Sequence, residues 1–168
     1  MKRIVCFFLI FALLLPLCAC RRNTIENPLP FYFLRRDYAF GAHSEVIAPE
    51  LVDRNEFSSI SKVLHFYLRG PSDSSLKTPF PPGTYLLDAK ITGDTLVVTL
   101  SDSFAKLTGI SLTLACCALA KTAIEFSGVT SVEIRTISAL LDGESSITVS
   151  LSDLVLYDNC PAPAAEAE

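Results

Sequence analysis

The residues able to do chemistry are few: six cysteines and two histidines in 168 positions. His43 stands in a polar stretch with Asp37, Glu45 and Glu50 nearby in sequence. An imidazole among carboxylates could hold a metal ion or share acid–base work, provided the fold makes them converge. Nothing in the spacing enforces convergence, and a solvated loop accounts for the same residues. His65 lies beside an apolar stripe and reads as a surface or boundary histidine. Cys116 and Cys117 are adjacent within an apolar stretch. A disulfide between neighbours is strained and two thiols are too few for a zinc site, so they read as buried apolar residues. Ser101-Asp102-Ser103 reads as a turn or helix cap. The sequence has no G-x-S-x-G elbow, phosphate loop or metal motif. No catalytic residue, metal ligand or cofactor is therefore expected.

One cysteine has a defined chemical context. Lys2 and Arg3 precede an apolar run from Ile4 to Leu17. At about 14 residues the run is short of the ~20 that span a bilayer, and it fits a secretory signal. It closes in Leu17-Cys18-Ala19-Cys20, which resembles a bacterial lipobox. Small residues let the signal peptidase reach the bond, and the Cys20 thiol carries a diacylglyceryl thioether. Cys20 then becomes the acylated first residue, and two or more acyl chains anchor a protein stably where one does not. The alternative is an ordinary secretory signal or an uncleaved anchor, with Cys20 incidental.

On the lipid reading, residues 1–19 are a signal peptide and residues 20–30 a lipidated tether. The tether reaches at most ~35 Å, so the rest of the chain sits close to the extracytoplasmic face of the cell membrane. Arg21 and Arg22 either touch anionic headgroups or are solvated. Residues 158–168 read as a disordered tail, in which Cys160 is a free thiol or pairs with another chain.

Composition fits this division. Half the residues are hydrophobic and the mean hydropathy is +0.41, high for a soluble protein. Much of that belongs to the signal; without it, roughly 150 residues of ordinary composition remain, enough for a real core. The net charge of −4 argues against a nucleic-acid partner. At 19% charged residues, with many large apolar ones, the chain is not intrinsically disordered.

The elements that must position any site alternate between strand and helix. Phe31 to Leu34 starts a strand, and residues 45 to 52 form an extended piece with Pro49, hence an edge. Residues 57 to 69 carry a helical stripe of Ile60, Val63, Leu64 and Tyr67, capped by Asn55, Ser58 or Ser59 and stopped at Gly70-Pro71. Thr84 to Thr92 alternates, with Tyr85, Leu87, Ala89 and Ile91 expected on one face. Gly93-Asp94 suits a type II′ turn into Thr95 to Ser101, where Leu96, Val98 and Leu100 share a face. Residues 110 to 126 form an apolar helix ended by Gly128. Strands follow at 129 to 137 and 146 to 152, the latter extending through 153 to 157. The order is β-β-α-β-β-α-β-β, an α+β fold with both helices on one face of a mixed sheet.

This order, with its motifs, resembles the GerMN domain of bacterial sporulation and germination lipoproteins. The matching pieces are Leu68-Arg69-Gly70-Pro71, then Pro82-Gly83-Thr84, then the Gly93-Asp94 hairpin with Val97-Val98-Thr99-Leu100-Ser101. Thr122 in the second helix and Phe126-Ser127-Gly128-Val129-Thr130-Ser131-Val132 complete them. The family often has Asp at the place of Thr99, and its closing Gly comes late here, at Asp142-Gly143. The resemblance implies a GerMN-like domain over residues 31–157. It implies a non-enzymatic, anchored scaffolding or interaction protein of the spore or cell envelope, with a protein partner there and room for self-association. Its alternatives are an extracytoplasmic accessory of a two-component sensor kinase and a small wall-binding or hydrolytic protein. The exposed half of the sheet, or the edge at residues 45 to 52, is the expected place for a partner.

Overall fold

The computed structural model describes residues 25–37 and 46–158, which form an α+β fold with two sheets. In the first, β1 (Pro28–Arg35) lies between β2 (Ile47–Asp53) and the short β3 (Leu76–Lys77). In the second, β4 (Leu86–Thr92), β5 (Thr95–Leu100), β6 (Ser131–Thr136) and β7 (Ser146–Ser150) run in sequence order. β5 and β6 are parallel, the other neighbours antiparallel. Three helices are described: α1 (Ile60–Tyr67), α2 (Gly109–Ser127) and α3 (Leu151–Asp158).

A parallel pair needs a long crossover, and α2 supplies it between β5 and β6. α2 is apolar nearly all round because it is covered on both sides: it packs on β6 and β7 and also beside β1. By length and composition alone it could cross a membrane, but Leu112, Ala115, Leu119, Ala120 and Ala123 are buried in the core. Gly128 ends it in the left-handed conformation, φ 70°, with its N–H on the Ile124 carbonyl. α1 is capped by Ser59, whose hydroxyl accepts from the Lys62 N–H. Its Tyr67 stacks with Phe33 at 4.9 Å and meets Phe31 and Phe80 edge-on at 5.5 and 5.3 Å. Such pairs add ~0.5–1.5 kcal/mol each beyond the area they bury.

The strands make two sheets rather than one mixed sheet, and the physical reason lies at Tyr32. Tyr32 faces Pro49 in a non-hydrogen-bonded pair of the β1–β2 ladder, so its N–H and C=O point away from β2. The N–H of Tyr32 donates to Thr122 Oγ1 at 3.0 Å, and its carbonyl accepts from the Tyr67 hydroxyl at 2.5 Å. Helix side chains take the hydrogen bonds that a further strand would have made. Both helices lie on the side of the second sheet that carries Leu96, Val98, Leu100, Val132 and Ile134, as expected.

Three local expectations change. The alternation in β4 is broken by a bulge between Leu86 and Asp88, so Leu86 enters the core while Tyr85 and Leu87 are exposed. Beyond it Ala89 and Ile91 keep the face of Val98 and Leu96, Ala89 packed on the core and Ile91 open at the sheet edge. β1 starts at Pro28, three residues before Phe31. Residues 151 to 158 are helix, not strand. The Asp153 carboxylate accepts from the Ser150 N–H at 2.9 Å, while the Ser150 hydroxyl accepts from the Asp153 N–H at 3.4 Å. This is a capping box, readable in Ser150-Leu151-Ser152-Asp153. The Gly93-Asp94 hairpin forms as expected, with positive φ at Gly93 (59°).

Candidate interaction surface

The polar residues singled out by sequence are mostly engaged within the fold. Glu50, on β2, accepts from the N–H groups of Ser72 (3.1 Å) and Asp73 (3.2 Å) and from the Ser72 hydroxyl. It holds the loop after α1 and is not free for acid–base work. Asp37 is exposed just after β1. His43 and Glu45 lie outside the described residues, as do Cys20, Arg21, Arg22 and Cys160. His65 is exposed on α1. Among the described residues no three His, Cys, Asp or Glu side chains are grouped to hold a metal ion.

Ser101 and Asp102 are ties rather than a nucleophile pair. The Ser101 hydroxyl donates to the Gly83 carbonyl at 2.8 Å and accepts from the Tyr85 N–H at 3.1 Å. Asp102 accepts from the Ser138 N–H and hydroxyl at 3.2 and 2.9 Å. Those hydrogen bonds hold its carboxyl below the usual carboxylate range. Cys116 and Cys117 are buried, and burial pushes the Cys116 thiol up to about 12 and raises that of Cys117.

The sequence motifs contact one another. Gly83 sits at φ 84°, and a Cβ there would come 3.1 Å from Ser103 Oγ. Asp94, in the hairpin turn, offers its carbonyl to the N–H groups of Thr130 (3.0 Å) and Ser131 (3.3 Å). Thr122 ties α2 to Tyr32. Gly83, Asp94, Ser101, Thr122 and Thr130 are thus joints of the fold.

Open surface is available for contact elsewhere. β2 is an edge strand, with Pro49 and Leu51 exposed on its outer side. A groove of about 310 Å³ lies beside the first half of α2, lined by Leu112, Cys116, Leu141, Ile147, Asp142 and Glu144. The second sheet carries α2 on one face only. Its other face bears Thr95, Val97 and Thr99 of β5 beside Ser131, Glu133 and Arg135 of β6. Thr95 and Ser131 share a hydrogen bond at 2.8 Å, and Arg135 Nε donates to Thr99 Oγ1 at 3.1 Å.

These features define a small α+β module whose motif residues Gly83, Asp94, Ser101 and Thr122 tie the fold together and whose open surfaces are suited to contact. The chain belongs to the Germane family, described as sporulation and spore germination, whose sequence model matches residues 30–146. It is similar in fold to the tandem GerMN domains of the sporulation protein GerM from Bacillus subtilis, at 21% identity and a TM-score of 0.54. That match covers 73% of this chain and 45% of the tandem structure, so the chain spans under half of that relative. The first GerMN domain of the same protein matches at 14% identity and a TM-score of 0.56, covering 75% of this chain and 98% of that domain. A search of curated proteins gives no match.

Proposed function

We propose that the chain is a membrane-anchored, non-enzymatic lipoprotein that serves as an interaction or scaffolding component of the cell or spore envelope during sporulation or germination. The observation that carries this reading is the joining of two features in one chain. The family match over residues 30–146 gives the sporulation context, and Leu17-Cys18-Ala19-Cys20 gives the anchor. The engagement of Glu50, Ser101 and Asp102 in structural hydrogen bonds supports a binding role over catalysis. Acylation at Cys20 holds the domain at the extracytoplasmic face, where its partner is another envelope protein rather than a nucleic acid.

The anchor is tested by fatty-acid labelling. Cys20→Ala is expected to lose label and accumulate unprocessed chain; persistent labelling overturns the lipid site. Deletion is expected to impair spore formation or germination, and normal spores that germinate normally would remove the sporulation role.

A further inference from the structure

The uncovered face of the second sheet carries one chemical pattern twice, in opposite order. Register places Lys90 of β4 opposite Val97 of β5, and Val97 opposite Glu133 of β6. In the next row stand Asp88, Thr99 and Arg135. Along one direction β4 thus presents cation then anion, and β6 presents anion then cation. A hydroxyl row on one side holds Thr92, Thr95 and Ser131. On the other side two large apolar residues stand open: Tyr85, 57% exposed, precedes β4, and Ile137, 70% exposed, follows β6.

We propose that this face is the contact between two copies of the chain, packed sheet to sheet about a two-fold axis that runs along β5. Rotation about that axis lays β4 of each copy over β6 of the other and leaves every row in place. Lys90 then meets Glu133 of the second copy, and Asp88 meets its Arg135; each pair occurs twice. Tyr85 comes over Ile137, and Thr92 over Ser131. Val97 and the two threonines of β5 lie on the axis, where their small size lets the sheets approach to ~10 Å. A two-fold contact must be self-complementary, and this face is. An axis across the strands through the Lys90 row is excluded by charge, because it sets Lys90 on Lys90 and Glu133 on Glu133. One midway between the two charged rows would set Lys90 on Asp88 and Glu133 on Arg135. Paired reversal of Lys90 and Glu133 separates it from the axis along β5, since only there do those two residues meet.

The patch is small. Three overlapping strands at ~4.8 Å and four rows at ~6.8 Å make roughly 400 Å² per copy, about half of what a stable interface buries on each side. The contact is therefore weak in dilute solution and gains from a membrane, which confines copies at high local concentration. That gain rests on the anchor reading; the geometry of the face does not.

Cysteine crosslinking tests the axis in the full-length chain with Cys160→Ser. Val97→Cys places the two thiols together on the axis, and oxidation in membranes is expected to give a disulfide-linked dimer. Ser146→Cys, on β7, is the control, since its mate would lie about 19 Å away laterally. Lys90→Glu or Glu133→Lys alone is expected to lower the Val97 crosslink about fivefold or more, and the two together to restore it. Absence of the crosslink, equal crosslinking from Ser146→Cys, or indifference to the charge reversals overturns the dimer. The same assay on purified full-length chain that also carries Cys6→Ser, Cys18→Ser and Cys20→Ser, at ~1 mM, reads the contact without lipid. The two readings fail separately: unlipidated chain overturns the anchor, and lipidated chain without the crosslink overturns the dimer.

Discussion

The Tyr67 hydroxyl donates to the Tyr32 carbonyl at 2.5 Å, and this bond joins α1 to β1 on the side away from β2, where β3 reaches only Leu34 and Arg35. Thr122 completes the site by accepting from the Tyr32 N–H. Removing either side chain group leaves a main-chain polar group of β1 without its partner, which costs about 1–3 kcal/mol. Tyr67→Phe and Thr122→Val are each expected to lower the urea midpoint accordingly with an unchanged slope. The double variant should cost less than the sum, because both hydroxyls bond the same residue and also hydrogen-bond each other.

Alkaline stability follows from the same residue. Burial holds the Tyr67 phenol well above its ordinary value of about 10. A raised folded value keeps its contribution intact below pH 10, where folded and unfolded chains hold the proton alike. Above pH 10 the unfolded chain releases it and the folded chain does not, so stability falls as pH rises. Thermal melts from pH 9 to 11 should show this decline, and it should be shallower in Tyr67→Phe.

Acid acts in the opposite sense. The carboxyls of Asp73, Asp102 and Asp153 are all held low, each first by hydrogen bonds from a serine. Their contribution is present above the ordinary carboxylate value and is lost as pH falls through their lower folded values. Melting temperature is expected to drop between pH 4 and pH 2. In Asp102→Ala the starting temperature should be lower and the drop smaller, because the loop at Ser138 loses its acceptor at every pH.

Two glycines separate backbone strain from crowding. Gly128 at φ 70° has open space where a Cβ would stand, whereas Gly83 at φ 84° has Ser103 Oγ at 3.1 Å. Gly128→Ala carries only the left-handed penalty of about 1–2 kcal/mol. Gly83→Ala carries that penalty and also displaces Ser103. Denaturant unfolding should rank Gly83→Ala as the more destabilising.

The two thiols of α2 are expected to be inert. With Cys116 raised to about 12 and Cys117 also raised, little thiolate exists at pH 8. Iodoacetamide should leave both unlabelled in the folded chain and modify both in urea, as read by peptide mass spectrometry. Labelling of the native chain at either position would contradict the burial.

Several elements were legible along the chain because their causes are local. Gly93-Asp94 makes its hairpin, Ser59 and Gly128 bound their helices, and the apolar stretch at 110–126 is a buried helix. The capping box at Ser150–Asp153 was equally local and outweighs the alternation that suggested a strand. The motif-by-motif resemblance also held, since those residues are the joints of the fold.

Other features depend on partners distant in sequence. Whether the strands form one sheet or two rests on Thr122 and Tyr67 reaching Tyr32 across 90 and 35 positions. Glu50 changed from a candidate ligand to a loop clamp because Ser72 folds against it. Tyr85 and Leu87 turned outward because a bulge shifts the β4 register, and side-chain alternation reverses with one extra residue. Local residue types thus settled which elements form and where they end. The pairing of strands, with its register and its choice of exposed face, came from packing of the whole chain, because each hydrogen bond there needs a partner that only the assembled fold brings near.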